Sequence, residues 1–353
     1  MNEASAAQAK RVDDPYGVRA ASPAQMPKRA WKAILARTYK RTWDDNVALI
    51  AAGVTFYGFF ALLSLLGLIV LAYGFVAEPR TVVEHFHALT GVLPTDIAFL
   101  ISEQLMTAVK SSEGTKGLGI LLAVLIATYG GTNGAAAILT ALNIAYEEKE
   151  KRSLARFYLQ AVLMTVSALL LALSAVALAA AIAFFQHFLP QAASAALIAS
   201  KIGGYVLLTL VGTGVAATLY RFGPAREQAK WRWITPGSLL ASLSWLLLTV
   251  AFGLYLAKLT NYSATYGSLA AVVALLTWMY FASYAFLLGA ELNSEVEHQT
   301  AEDSTTGHPL PLGTRGAWAA DHVAVTEEVE DRPEEAREGE KLTAAGPQVE
   351  KEN

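Results

Sequence analysis

The sequence predicts an all-α polytopic membrane protein with six transmembrane helices, amphipathic interfacial helices and disordered termini. Three observations carry this reading. Of its 353 residues 54% are hydrophobic and only 16% charged, where a soluble domain is about a quarter charged. The mean hydropathy is +0.38. The apolar residues gather into runs without Asp, Glu, Lys or Arg at 46–77, 117–146, 157–200, 202–220, 233–257 and 259–290, and a helix of about 20 apolar residues crosses a bilayer core. Cysteine is absent, which excludes disulfide staples, thiol nucleophiles and cysteine-ligated metals.

Five runs supply one span each. The 44-residue run at 157–200 is too long for one crossing, and Gln186, His187, Pro190 and Gln191 interrupt it. The expected spans are therefore near 48–75, 118–142, 158–184, 200–220, 234–257 and 267–290, with Lys201 snorkelling near the outer end of the fourth. Pro236-Gly237 reads as the start of the fifth span, where proline needs no helix donor. No signal peptide is expected, because the first apolar run begins late and is too long.

The basic residues orient these spans. Lys28, Arg29, Lys32, Arg37, Lys40 and Arg41 precede the first span. Lys149, Lys151, Arg152 and Arg156 follow the second, and Arg221, Arg226, Lys230 and Arg232 follow the fourth. These fourteen face five on the other side (Arg80, Lys110, Lys116, Lys201 and Lys258), which predicts an inner-membrane protein with both termini cytoplasmic.

Outside the spans, 28–43 has Trp31, Ile34, Leu35, Thr38 and Trp43 roughly on one side, as in an in-plane interfacial helix. Segment 80–112 suggests two short amphipathic helices that either cover the outer mouth of the bundle or lie on the membrane surface. From residue 291 onward, 16 acidic residues face 5 basic, whereas the rest of the chain has 22 basic and 14 acidic. The expected organisation is a disordered tail at 1–27, a membrane domain at 28–297 and a disordered acidic tail at 298–353.

Several blocks carry a resemblance. They are Ala51-Ala52-Gly53-Val54-Thr55-Phe56-Tyr57, Ala141-Leu142-Asn143-Ile144-Ala145-Tyr146, Leu219-Tyr220-Arg221-Phe222-Gly223-Pro224, Trp231-Arg232-Trp233-Ile234-Thr235-Pro236-Gly237 and Leu287-Leu288-Gly289-Ala290-Glu291-Leu292-Asn293. Together they resemble the YihY/BrkB family of bacterial inner-membrane proteins over about residues 31–297. Ser64 stands where the family pattern usually has a proline. The family was formerly labelled ribonuclease BN, a name widely regarded as a misassignment. The resemblance implies a transporter or exporter, and both lipid-precursor movement and ion efflux have been suggested for members.

The residues themselves give an enzyme no support. His85 and His87 are two apart and diverge on a helix. There is no metalloprotease, nucleophile-elbow or phosphate-loop motif, and no metal or cofactor is expected. The basic loops follow from topology rather than nucleic-acid binding. Membrane lipids are the expected partners, with a homo-oligomer or an unknown protein partner left open.

The candidate substrate path comprises Thr277, Tyr280, Tyr284 and Glu291 on one side of the sixth span, with Asn293, Tyr57, Asn133 and Asn143. Glu291 is an ionisable group near membrane depth, and a structural role at the span end competes with a transport role. Gly130, Gly134, Ala137 and Ala141 form a small-residue ridge suited to helix packing. No charge lies deep in a span, which favours a lipid-like substrate or an ion held by neutral groups. A membrane scaffold without transport is the alternative.

Overall fold

The computed structural model describes residues 14–76, 113–188, 194–258 and 268–324. It contains α1 (Lys28–Asp44), α2 (Val47–Val76), α3 (Glu113–Ala145), α4 (Leu154–Phe188), α5 (Ser194–Phe222), α6 (Trp231–Lys258), α7 (Ser268–His298) and the single-turn α8 (Trp318–Asp321). Helices α2 to α7 are long and apolar enough to cross a membrane. Among the described residues there is no strand, only a bridge between Ala229 and Thr305. The all-α, six-span expectation is therefore met. The proposed outer amphipathic pair at 80–112 lies outside the described residues.

The spans carry apolar side chains on nearly every face, because lipid rather than water solvates their outer surface. Leu159, Leu210, Leu247 and Leu254 are among those left exposed. Many hydroxyls in the spans are satisfied within their own helices: Thr55, Ser64, Thr165, Thr209, Thr213, Thr218 and Thr277 each donate to the carbonyl four residues earlier. This back-bonding removes polar groups from lipid without a neighbouring helix.

Helix α7 is the common wall. It packs against α1, α2, α3, α6 and α8, while α4 packs on α3 and α5 on α6. Its contact with α6 is made through glycine. A Cβ at Gly237 would stand 1.9 Å from the Gly289 carbonyl oxygen, and one at Gly289 would stand 2.5 Å from that of Gly237. Backbones this close tolerate no side chain.

Proline completes the crossing in an unexpected place. Pro236 lies inside α6, which begins five residues earlier at Trp231, so it does not start the helix. Around the interrupted ladder, Asn293 accepts a hydrogen bond from the Gly237 N–H at 2.7 Å and donates to the Ile234 carbonyl at 2.9 Å. A neighbouring amide thereby satisfies backbone groups in the proline-broken turn.

Buried residues concentrate at the end of the bundle where α1, the α3–α4 and α5–α6 links and the chain after α7 meet; we call this the capped end. One cluster joins Leu142, Tyr146, Ala217, Tyr220, Ile234 and Ala290. Another joins Ala20, Met26, Ile34, Trp233, Leu292 and Val296. Helix α1 buries Ala30, Ile34, Thr38 and Thr42, four residues apart, with Trp43 and Leu35 exposed. Of the side anticipated from sequence, Ile34 and Thr38 are thus buried within the protein, while Leu35 and Trp43 remain exposed.

The terminal segments also differ from expectation. Residues 14–27 and 298–324, expected to be disordered, are folded onto the capped end, while the rest of the two expected tails, 1–13 and 325–353, lies outside the described residues. Polar braces hold them in addition to the apolar contacts of Ala20 and Met26. Buried Arg315 donates to the carbonyls of Ala301, Leu310 and Ala320. Asp303 accepts from the backbone of Thr305 and Leu310, and Asp321 from Arg315 and Gly316. Thr300 donates to Ala20 and Gln299 to Tyr16, tying the two segments together.

Gly237→Ala forces the α6–α7 backbones apart and is expected to cost about 3 kcal/mol or more, the upper range for overpacking. Gly53→Ala meets nothing within 4 Å and is expected to be neutral or slightly stabilising. Thermal unfolding of the two variants in detergent, followed by size-exclusion fluorescence, checks the contrast.

Candidate functional site

The last turns of α7 read Glu291-Leu292-Asn293-Ser294-Glu295-Val296-Glu297-His298. All of these residues are at most 5% exposed. Three carboxylates in such a place require partners, since a buried unpaired charge is costly.

Two of the three carboxylates have cations. Glu295 pairs with Arg37 at 2.6 Å and with Arg41 at 3.5 Å, both from α1. Glu297 pairs with Arg226 from the α5–α6 link at 2.6 Å and accepts from Ser304 at 2.7 Å. Burial pulls the Arg226 pKa down, but the charge and hydrogen bond of Glu297, with Tyr146 and Glu148, together outweigh it and hold it above its ordinary value. Arg41 also pairs with Glu147, which ends α3 in a left-handed conformation at φ +55°. The His298 ring packs at a tilt 4.9 Å from that of Trp318, whose backbone N–H donates to Glu148 at 2.6 Å.

Glu291 is different. Its Oε1 is buried without a hydrogen-bond partner. Arg226 is engaged by Glu297, and Arg221 donates to the Ala229 carbonyl and Gln228, so neither reaches Glu291. The nearby charges are Asp45, Glu295, Arg41 and Glu147. Asp45, in the two-residue link from α1 to α2, shares this acidic surrounding. Burial first, then the Glu147 charge, pushes its carboxyl up to about 6.

The other sequence candidates separate into three groups. Asn293 clamps α6, as described. Asn143 clamps the links: it donates to Glu150 at 2.9 Å and accepts from the Ala225 N–H at 2.7 Å. The hydrogen bond from the Arg152 side chain, which outweighs burial, holds the Glu150 carboxyl down at about 2. Tyr280 and Tyr284 pack on Val47, Ala51, Ala141 and Leu287 between α2, α3 and α7. Thr277 donates to Val273 within α7.

Tyr57 and Asn133 are brought together elsewhere. They line a groove of about 410 Å³ between α2, α3 and α4, with Ile50, Val54, Thr140 and Tyr158 among its other walls. Its lining holds no charged residue. Ile50, Val54 and Ala141 belong both to this wall and to the cluster around Tyr280 and Tyr284, so they stand between the groove and the α7 stripe. The eight path candidates therefore do not form one path.

The small-residue ridge faces α2. A Cβ at Gly130 would meet Ser64 Oγ at 2.7 Å, and one at Gly134 would meet Ala61 at 3.2 Å. Ala141 is buried beside Val47 and Ala51, and Ala137 lines the groove. Among the described residues, no group of three His, Asp or Glu could hold a metal ion.

Six long apolar helices, with the buried charged residues among those described gathered at the capped end, define an integral membrane protein. Residues 38–311 match the family Virulence factor BrkB, and the chain belongs to that family. A UPF0761 membrane protein of Albidiferax ferrireducens is 28% identical over 288 residues, covering 76% of this chain and 65% of that protein. One of Tolumonas auensis is 24% identical over 262 residues, covering 72% and 82%. The ribonuclease-like protein YfkH of Bacillus subtilis is 28% identical over 181 residues, covering 48% of this chain and 63% of YfkH. The chain thus spans less than two thirds of the length of YfkH and of the Albidiferax protein. No solved structure matches it.

The two shifted carboxyls have opposite pH consequences. Asp45 binds its proton more tightly when folded, so its contribution is full below the ordinary carboxylate range and lost as pH rises through about 6. Glu150 contributes above that range and loses its contribution as pH falls toward about 2. Asp45→Asn is expected to raise Tm at pH 7.5 and leave it nearly unchanged at pH 4. An equal shift at both pH values contradicts this assignment.

Proposed function

We propose that the protein moves a lipid-like amphiphile across a bacterial inner membrane, with both termini cytoplasmic. The observation that carries this reading is the uncharged groove between α2, α3 and α4. Exposed Tyr57 and Tyr158 on its lining open it to the outside of the bundle, where acyl chains lie. Apolar walls with a few hydroxyl and amide groups suit an amphiphile. An ion in transit needs charges or converging carbonyls, and the groove supplies no charge. In this reading Glu291 is structural, since Ile50, Val54 and Ala141 separate its helix from the groove.

The test is reconstitution of the purified chain in liposomes, following scrambling of a fluorescent phospholipid and sodium flux. Scrambling is expected to exceed that of protein-free vesicles, and sodium flux is not. Ala137→Trp fills the groove and is expected to return scrambling toward the protein-free rate, whereas Glu291→Gln leaves it unchanged. Scrambling no faster than in empty vesicles favours a non-transporting scaffold.

A further inference from the structure

A second cavity, of about 440 Å³, opens at the capped end between α4, the end of α5 and the α3–α4 and α5–α6 links. Four cations line it: Lys151, Arg152, Arg221 and Arg226. They are not equivalent. Arg152 is consumed by structure, held by Glu150 at 2.7 Å and donating to Gln160 and to the Gly223 carbonyl. Arg226 spends one nitrogen on Glu297, and its Nη1 is buried without an acceptor. Its side chain is only 1% exposed.

Arg221 has no carboxylate within ion-pair distance among the described residues. Its guanidinium lies 4.8 Å from the Trp231 ring and 5.4 Å from that of Phe222. It donates to the Ala229 carbonyl and Gln228, and its Nε is buried without an acceptor. Lys151 adds an exposed ammonium whose contact with Glu148 is long, at 3.4 Å. The residues lining the cavity therefore include two arginines, each with one buried N–H lacking an acceptor, and one loosely held lysine, with Glu227 the only carboxylate among them.

Its depth identifies the ligand. The cavity sits where the α4 span begins at Leu154, the α5 span ends at Phe222 and the α6 span begins at Trp231. Phe222, Trp231 and Tyr158 are exposed at this level, as aromatic side chains are at a membrane interface. Gln160, inside the α4 span, forms part of the wall, so the site borders the lipid-facing surface. Arginine donors at headgroup depth suit a phosphate oxygen.

We propose that this cavity binds the phosphate of an anionic phospholipid headgroup, with Arg221 and Lys151 as its principal contacts and Arg226 as a further donor. The site stands whether or not the groove carries a substrate, because it lies on other helices and its test reads binding rather than flux.

The experiment is native mass spectrometry of the full chain released from neutral detergent, titrated with phosphatidylglycerol, phosphatidylcholine or inorganic phosphate. Retention of phosphatidylglycerol over phosphatidylcholine is expected. Arg221→Gln combined with Lys151→Gln is expected to weaken it roughly tenfold, the scale of one charge-assisted hydrogen bond. Lys149→Gln combined with Arg232→Gln removes two exposed charges outside the cavity and is expected to leave it unchanged. Lys151→Gln alone, at an exposed position, gives a partial loss and covers the case in which Arg221 variants fail to fold. Equal weakening by the Lys149/Arg232 pair, no effect of Lys151→Gln, or inorganic phosphate bound as well as the lipid would each overturn the proposal.

Discussion

The contact on which the rest of the structure depends is the meeting of α6 and α7 at Gly237 and Gly289. A membrane offers no hydrophobic force to press helices together, so close packing and hydrogen bonds must hold them. Two glycines supply the approach, and Asn293 supplies the bonds across the turn that Pro236 interrupts. With α6 fixed on one side, α7 presents its other faces to α1, α2 and α3. Tyr220 then donates to the Phe286 carbonyl at 2.5 Å, bringing α5 to the same wall.

This arrangement explains where the charges lie. The acids of α7 occur only in its last turns, where α1 and the α5–α6 link can reach them with Arg37, Arg41 and Arg226. Buried pairs of this kind add little net stability, but losing one partner is costly because the other charge stays buried. The folded segment at 298–324 closes over these pairs, and Glu148 binds Trp318 from the opposite side. The capped end is thus the part of the molecule with a soluble protein's interior, while the spans leave their outer faces to lipid. The two cavities fall on either side of this division, one uncharged along the spans and one cationic where they end.

Much of this was legible in the sequence. Charge-free runs located the spans because lipid tolerates little else, and Gly130 and Gly134 marked a close helix contact, which the structure makes with α2, because small residues permit close approach. Other features left weaker traces. Pro236 looked like a helix start, since its accommodation depends on Asn293, 57 positions further on. The segment after His298 looked disordered because its order comes from Arg315, Asp303 and Asp321 bonding backbone groups, which hydrophobic periodicity does not reveal. Its glycines at 307, 313 and 316, all with positive φ, were the available sign of tight turns. The candidate path grouped Tyr57 with Tyr284 because one sequence cannot say which side of α2 each occupies. The cationic cavity was hidden among loop residues whose charge topology alone explains.

Because the chain has no cysteine, the central position of α7 can be tested by one engineered pair. Thr55 Oγ1 and Ser283 Oγ lie 3.3 Å apart between α2 and α7. With Thr55→Cys and Ser283→Cys introduced together, mild oxidation of native membranes is expected to form an intramolecular disulfide nearly completely. Two thiols that stay reduced and both react freely with a lipid-soluble maleimide would show that α7 does not stand against α2, and the account built on it would fail.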